Sequence, residues 1–163
     1  MKEKGIRLDI IESSLIDFDL NNIFVIFTKA YRLNKIIKKQ VGIDLIENYK
    51  RAFNILNSEL KNINEKLNNT TDPGIFKNDY EKNLFRKTNE LKQYFSEMTK
   101  KQNFDETLVF LATAKKEVFD FFDNVKVNDE NDIVKKNRLE LLSFFCKTYE
   151  NFIDFQLIKD INE

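Results

Sequence analysis

Histidine is absent from this 163-residue chain, and cysteine occurs once, as Cys146. A zinc site of Cys and His ligands is thereby excluded, an internal disulfide is impossible, and the side chain that most often serves as a general base is missing. A single thiol with no partner suits a reducing cytosol, and a cytoplasmic location is expected. Proline occurs once and glycine three times, so few residues interrupt a helix. No apolar run approaches the roughly 20 residues of a membrane span, so no membrane partner is expected. The segment 23–27 is short and sits inside a longer amphipathic pattern. Residues 1–5, Met-Lys-Glu-Lys-Gly, lack the apolar region of a signal peptide. An excess of either charge is missing too, with 27 Lys plus Arg against 27 Asp plus Glu. That balance counts against a dedicated nucleic-acid binder, which carries a basic surplus, without excluding a local basic face.

Leu, Ile, Phe, Lys, Glu and Asn dominate what is present, and with so few breakers long helices are expected. The length fits one domain, 1–163, large enough to bury a core. A short apolar segment, 6–16, follows Gly5 and is broken by Asp17 and Asp19. A second helix over 20–39 is apolar around much of its circumference, as a central helix is. Gly42 marks the next boundary, and Ile43 or Asp44 opens a third helix. Its residues Ile46, Tyr49, Phe53, Leu56, Leu60, Ile63 and Leu67 recur at spacings of three and four. Pro73-Gly74 lies in a connecting loop, 68–74, too short to separate two cores. The fourth helix, 75–100, carries Tyr80, Leu84, Leu91, Phe95 and Met98. Asn103 caps a fifth, with Glu106 close to a capping-box position; it buries Phe104, Leu108, Leu111, Val118 and Phe122. The sixth runs over 129–158 with the stripe Val134, Leu141, Phe145, Tyr149, Phe152 and Ile153. The expected fold is all-α, a bundle of about six helices with no sheet.

Arg138 stands out because it falls on that last apolar stripe. A buried ion pair with Asp123, in the break before the sixth helix, is the structural expectation, and direct RNA contact is the alternative. Lys50-Arg51 flanks the third stripe and is either a solvated face or a phosphate contact. Lys35, Lys38 and Lys39 complement a helix C-terminus. Lys115-Lys116 and Lys135-Lys136 are similar basic clusters, and several such clusters on one face would form a phosphate-binding surface. Most of the 16 Phe and five Tyr sit at core spacing. Phe121 is the best candidate for stacking an unpaired base, since Phe119, Phe121 and Phe122 cannot all face one way. Cys146 is a small helical filler. No carboxylate stands with a nucleophile, a Gly-rich loop or a metal-ligand pattern, so no catalytic residue and no metal site are assigned.

From residue 119 to 142 the chain reads FDFFDNVKVNDENDIVKKNRLELL. This resembles the C-terminal anticodon-binding domain of the bacterial glycyl-tRNA synthetase β subunit, with its Phe-Phe-Asp-x-Val-x-Val turn, acidic stretch and Asn-Arg-Leu-x-Leu-Leu. Gly5 to Glu12 is similar to that family's Gly-x-x-x-Asp-Val-Ile segment, and 104–108 to its Phe/Tyr-x-Asp-Ala-Leu. Asp154-Phe155-Gln156-Leu157 resembles an Asp-Ile-Ser-Leu ending, with Phe and Gln as departures. Lys50-Arg51 falls on the family's basic pair, although Asn48 stands one place earlier than its usual Asn and Tyr49 takes that position. Between 60 and 101 only the helical pattern matches. The resemblance implies the helical anticodon-binding bundle shared with arginyl-tRNA synthetase, within a longer β subunit of which this is a fragment. It implies glycine tRNA and the synthetase α subunit as partners. ATP and magnesium belong to the whole enzyme, and this piece itself needs no cofactor. Lys50 and Arg51, then Lys115 and Lys116, are the expected RNA contacts. The competing expectation is a helical protein-interaction module with no RNA role, which the neutral charge favours. A basic stripe crossing the third, fifth and sixth helices would favour RNA.

Overall fold

The three-and-four spacing of apolar residues becomes helix wherever the stripe can meet a partner. The computed structural model describes residues 2–16, 22–61, 67–68, 70–100 and 103–159. Within these lie α1 (Leu8–Ser13), α2 (Ile23–Ile36), α3 (Gln40–Leu60), α4 (Asp79–Lys100), α5 (Phe104–Ala112), α6 (Lys115–Asn124) and α7 (Asp132–Glu150). Single 3₁₀ turns occupy Lys2–Lys4, Pro73–Ile75 and Phe155–Leu157, and no strand occurs among the described residues. The all-α bundle is as expected. Its fifth helix is divided at Thr113 and Ala114 into α5 and α6, and its sixth stops at Glu150. Past that point the chain turns inward, and Asp154 caps the Phe155–Leu157 turn. Expectations that fall on Asp17, Asp19 and Ile63 lie outside the described residues.

Helices α3, α6, α4 and α7 form a ring in that spatial order, with α5 leading into α6. Pairs along α3 and α6 rise together (Asp44 with Lys115, Arg51 with Asp123), so these helices run parallel. Tyr49 with Glu150 and Glu59 with Lys135 make α3 and α7 antiparallel. The centre is aromatic: Tyr49, Phe145, Tyr149 and Phe155 pack with ring centroids 4.7–6.0 Å apart. Each phenol reaches an acceptor, as a buried hydroxyl must. Tyr49 donates to Glu150 Oε1 at 2.6 Å, and Tyr149 donates to the Leu111 carbonyl. Helix α1 packs on α2 and on the Phe155–Leu157 turn. There Asp9 accepts from Arg7 and from the Lys159 amide, joining the two ends of the described chain. Burial pushes the Asp9 carboxyl up, but those donors outweigh it and hold the group below its ordinary range.

Gly42 does not mark a boundary. Helix α3 already begins at Gln40, and Gly42 lies in its first turn, where it crosses the end of α2. A β-carbon there would meet the Ile36 carbonyl and come within 2.6 Å of Ile37 Cα. The absent side chain is what lets α3 fold back so tightly.

Arg138 is buried, with 5% of its side chain exposed, and it is paired. Its partners are Glu81 and Asp129, each at 2.7 Å, with the Lys126 carbonyl at 2.8 Å. The expected partner, Asp123, is elsewhere. Helix α6 continues to Asn124, so Asp123 remains in its last turn and takes Arg51 at 3.0 Å. The chain leaves the helix only at Val125. Burial of Val125 and Val127 then swings the loop back, and Asp129 meets Arg138. Glu81 has a second task. Its other oxygen accepts from the amides of Lys77 and Asn78, while Asn78 Oδ1 accepts from the Glu81 amide. This is a capping box, and it starts α4 at Asp79 rather than at Ile75.

Two consequences can be measured by urea or thermal unfolding. In an open helix Gly→Ala stabilises by about 1 kcal/mol. Gly42→Ala should instead destabilise by about 1–3 kcal/mol, because backbone must move to admit the methyl; a more stable variant would show that the corner has room. Arg138→Ala should cost about 3–5 kcal/mol by stranding the buried Glu81. Arg138→Lys should not restore it, since an ammonium cannot reproduce the fork, and Asp123→Ala should change stability by at most about 1 kcal/mol. Equal losses for Arg138→Ala and Asp123→Ala would contradict this assignment. The Asn131 amide, Lys77 and Arg138 lower Asp129 from 3.8 to about 2. Its contribution is therefore whole above about pH 4 and lost as pH falls toward about 2, so Asp129→Asn should flatten the acid limb of the stability curve.

Candidate nucleic-acid interface

Because α3 and α6 run parallel and in contact, side chains four or seven apart on each line up across a shared ridge. At one end Lys115 Nζ meets Asp44 Oδ1 at 2.7 Å, and Gln40 donates to the same oxygen. Further along, Arg51 Nη2 meets Asp123 Oδ1 at 3.0 Å. The Arg51 guanidinium also lies over two rings, 5.3 Å from the Phe119 centroid and 5.1 Å from that of Phe122. Lys116 pairs with Asp120 one turn along its own helix. Lys115, Lys116, Phe119 and Asp120 line an open cleft of about 410 Å³ with Ala112 and Thr113 from the corner between α5 and α6.

Three of the four expected contact residues, Arg51, Lys115 and Lys116, therefore gather around one ring. Lys50 is half-buried on α3 and is engaged by neighbouring groups. The hydrogen bond to Asp44 holds the Lys115 ammonium above its ordinary range, and Asp120 does the same for Lys116. Burial pushes the Asp44 carboxyl up, but the bonds from Lys115 and Gln40 prevail and lower it. The ridge thus presents charged ion pairs at neutral pH, not naked cations.

The exposed aromatic at this ridge is Phe119, 53% exposed, whereas Phe121 is fully buried. Val118, Phe121 and Val125 form the inward stripe of α6, which puts Phe121 in the core. Phe119 follows Lys115 by four and Lys116 by three, so it shares their face. That spacing was the sequence signal for it. Other basic clusters are occupied differently. Lys35 lies over the Tyr31 ring at 4.5 Å, and Lys135 meets Glu59 at 3.1 Å with little of either exposed. Lys38 lines a separate cleft with Arg7, Glu12 and Lys159. Cys146 is buried, which pushes its thiol up and leaves it unreactive.

No helix among the described residues is long and apolar enough to cross a membrane. Residues 45–160 match the DALR anticodon binding domain, a span that begins just inside α3 and includes all of α6 and α7. The chain is also similar to glycine–tRNA ligase β subunits. It is 31% identical over 137 residues to that of Rickettsia prowazekii, covering 84% of this chain and 20% of the relative. To that of Rickettsia bellii it is 32% identical over 143 residues, covering 88% and 20%. To that of Persephonella marina it is 30% identical over 158 residues, covering 97% and 21%. The chain spans about a fifth of the length of the curated relatives it matches. With a helical bundle whose matched span contains nearly the whole ring of helices, the chain belongs to the DALR anticodon binding domain family.

Proposed function

We propose that this chain binds the anticodon arm of glycine tRNA as the anticodon-binding domain of a glycine–tRNA ligase β subunit, in the cytoplasm. The observation that carries this reading is the match of residues 45–160 to an anticodon-binding domain. The likeness to β subunits along nearly the whole chain supports the choice of glycine tRNA. In this reading the chain binds and orients. Joining glycine to tRNA, with ATP and magnesium, takes place elsewhere in the ligase, at the α subunit with which the β subunit assembles. The acidic side chains of the described residues form no group of three or more that could hold a metal ion.

The ridge between α3 and α6 supplies what the reading needs locally. Arg51, Lys115 and Lys116 stand together. The partners of Arg51 and Lys116, Asp123 and Asp120, are partly exposed, while Asp44 beside Lys115 is more buried and also bonded by Gln40. Exposed pairs such as Arg51–Asp123 and Lys116–Asp120 contribute little to stability, so a phosphate can take the place of a carboxylate there at small cost. The competing reading, a helical module that binds proteins alone, draws on the zero net charge.

The test is tRNA binding across a salt series, for glycine tRNA and a non-cognate tRNA. Glycine tRNA should bind more tightly, with affinity falling as salt rises. The double change Lys50→Ala, Arg51→Ala should weaken binding at low salt and reduce the log–log salt slope by roughly 1 for each phosphate left unneutralised. Circular dichroism of the variant should match the parent. Absence of tRNA binding by the parent chain would leave the protein-interaction reading in its place.

A further inference from the structure

We infer that Phe119 is a stacking platform for one unpaired nucleotide of an RNA loop, with Arg51 holding the ring and Lys115 and Lys116 receiving the flanking phosphates. The inference rests on the tRNA-binding reading and names the position within it that meets a base.

Four observations converge there. Phe119 leaves about half its surface open to solvent, one of three described Phe and Tyr side chains that are exposed, with Phe24 and Tyr80, and the one of the three that lies under a guanidinium. Such a ring gains nothing for the fold by exposure. Its neighbour one turn on, Phe122, is half-buried, and both sit beneath the Arg51 guanidinium. Arg51 is itself tethered by Asp123, so the Arg–Phe stack is held in place before any ligand arrives. A pre-set ring spares much of the ordering cost of binding. Phe119 also lines the cleft that carries Lys115 and Lys116. Their side chains are 52% and 79% exposed, within reach of a phosphate on either side of a base laid on the ring. An aromatic face with cations beside it is the chemistry that single-stranded nucleic acid selects, since every base has a π-face and every nucleotide a phosphate. What favours a nucleotide here over an apolar protein segment is the pair of exposed ammonium groups, Lys115 and Lys116, at the border of the cleft.

The hydrogen bond from Arg51 to Asp123 uses one guanidinium nitrogen, leaving the planar group able to donate further while it stacks. Thr113 and Asp120 both line the cleft. The Thr113 hydroxyl donates its proton to the Phe110 carbonyl and keeps lone pairs to accept with, and Asp120 accepts from Lys116 with one carboxylate oxygen and has the other. The cleft can therefore accept from a base edge as well as support its face.

The experiment compares this chain with Phe119→Leu, Phe119→Tyr and Lys115→Ala/Lys116→Ala, using glycine tRNA over a salt series. A set of tRNAs with 2-aminopurine at single anticodon-loop positions reports base stacking. Phe119→Leu keeps an apolar side chain under Arg51 but removes the π-face. It should weaken binding roughly 5- to 100-fold with the salt slope unchanged. Phe119→Tyr should restore it, and the lysine pair should instead lower the slope. One 2-aminopurine position should be quenched by the parent and by Phe119→Tyr, and not by Phe119→Leu. If the parent binds glycine tRNA and Phe119→Leu binds as well, with every 2-aminopurine response retained, the platform is refuted while the tRNA reading stands. If the parent binds no tRNA, the tRNA reading fails and the platform falls with it. Unchanged tRNA affinity in Phe119→Leu together with weakened association with the rest of the ligase would make this face a protein contact and overturn the inference.

Discussion

Arg138 places a permanent positive charge on the apolar stripe of α7, and no packing of the helices is tolerable that leaves it without acceptors. The structure answers with Glu81 from α4, Asp129 from the α6–α7 loop and the Lys126 carbonyl, three acceptors on two separate stretches of chain. Glu81 is also the residue that caps α4, so the start of that helix and its position against α7 are set by one carboxylate. Asp129 is held in turn by Lys77. An apolar replacement of the whole group could be as stable. What the ions supply is exclusion: sliding α4 by one turn along α7 would part Glu81 from Arg138, leaving a buried carboxylate without its cation and the Arg138 Nε–H without its acceptor.

The same clip reaches the candidate interface through the loop it pins. With Val125 and Val127 buried and Asp129 bound, the end of α6 cannot swing away from the bundle. Its last turn then lies along α3, which brings Asp123 to Arg51 and sets Phe119 beneath the guanidinium. Asn48 supplies a second tie at the other end, donating from α3 to the Ala112 carbonyl where α5 turns into α6. A surface built from two helices fixed at both ends holds its side chains more accurately than a loop would. The ridge is rigid because the core behind it is specific.

Periodicity made most of this fold legible. Leu84, Leu91, Leu108, Leu111, Leu141, Phe145 and Tyr149 are all buried where spacing put them. Burial of Arg138 was readable for the same reason. Its partner was not, because Glu81 is 57 residues away and only the packing of α4 on α7 brings it there. The start of α4 was obscured by Ile75 and Phe76, whose apolar character suggests helix. The Asn78–Glu81 spacing was the better guide, since it satisfies backbone donors that apolar side chains cannot. Tyr80, counted with the core, is exposed because it falls in the first turn before the stripe is engaged. Gly42 looked like a break because glycine ends helices more often than it permits two of them to touch. At the ridge the basic residues were legible as types, while the choice of Phe119 over Phe121 depended on which face of α6 the core claimed.

Zero net charge and a surface for RNA are compatible once charge is counted by place. A phosphate responds to the cations within a Debye length, about 10 Å at 0.1 M salt, and hardly to the sum over the molecule. On this ridge each cation is kept company by a carboxylate: Asp44, Asp120 or Asp123. Those partners lower the net field, and they also hold long flexible side chains near the geometry in which a phosphate would find them. Lys and Arg otherwise surrender rotamer freedom on binding, at about 0.5–1.5 kcal/mol for each side chain immobilised. The paired state has already met part of that cost. Asp120 and Asp123 keep a third or more of their side chains exposed to water, so losing their partners costs them little, while the more buried Asp44 retains the bond from Gln40. Under the proposed tRNA reading, weak attraction at long range with well-placed cations at short range would suit a site that acts together with others on one RNA, each contributing through effective concentration.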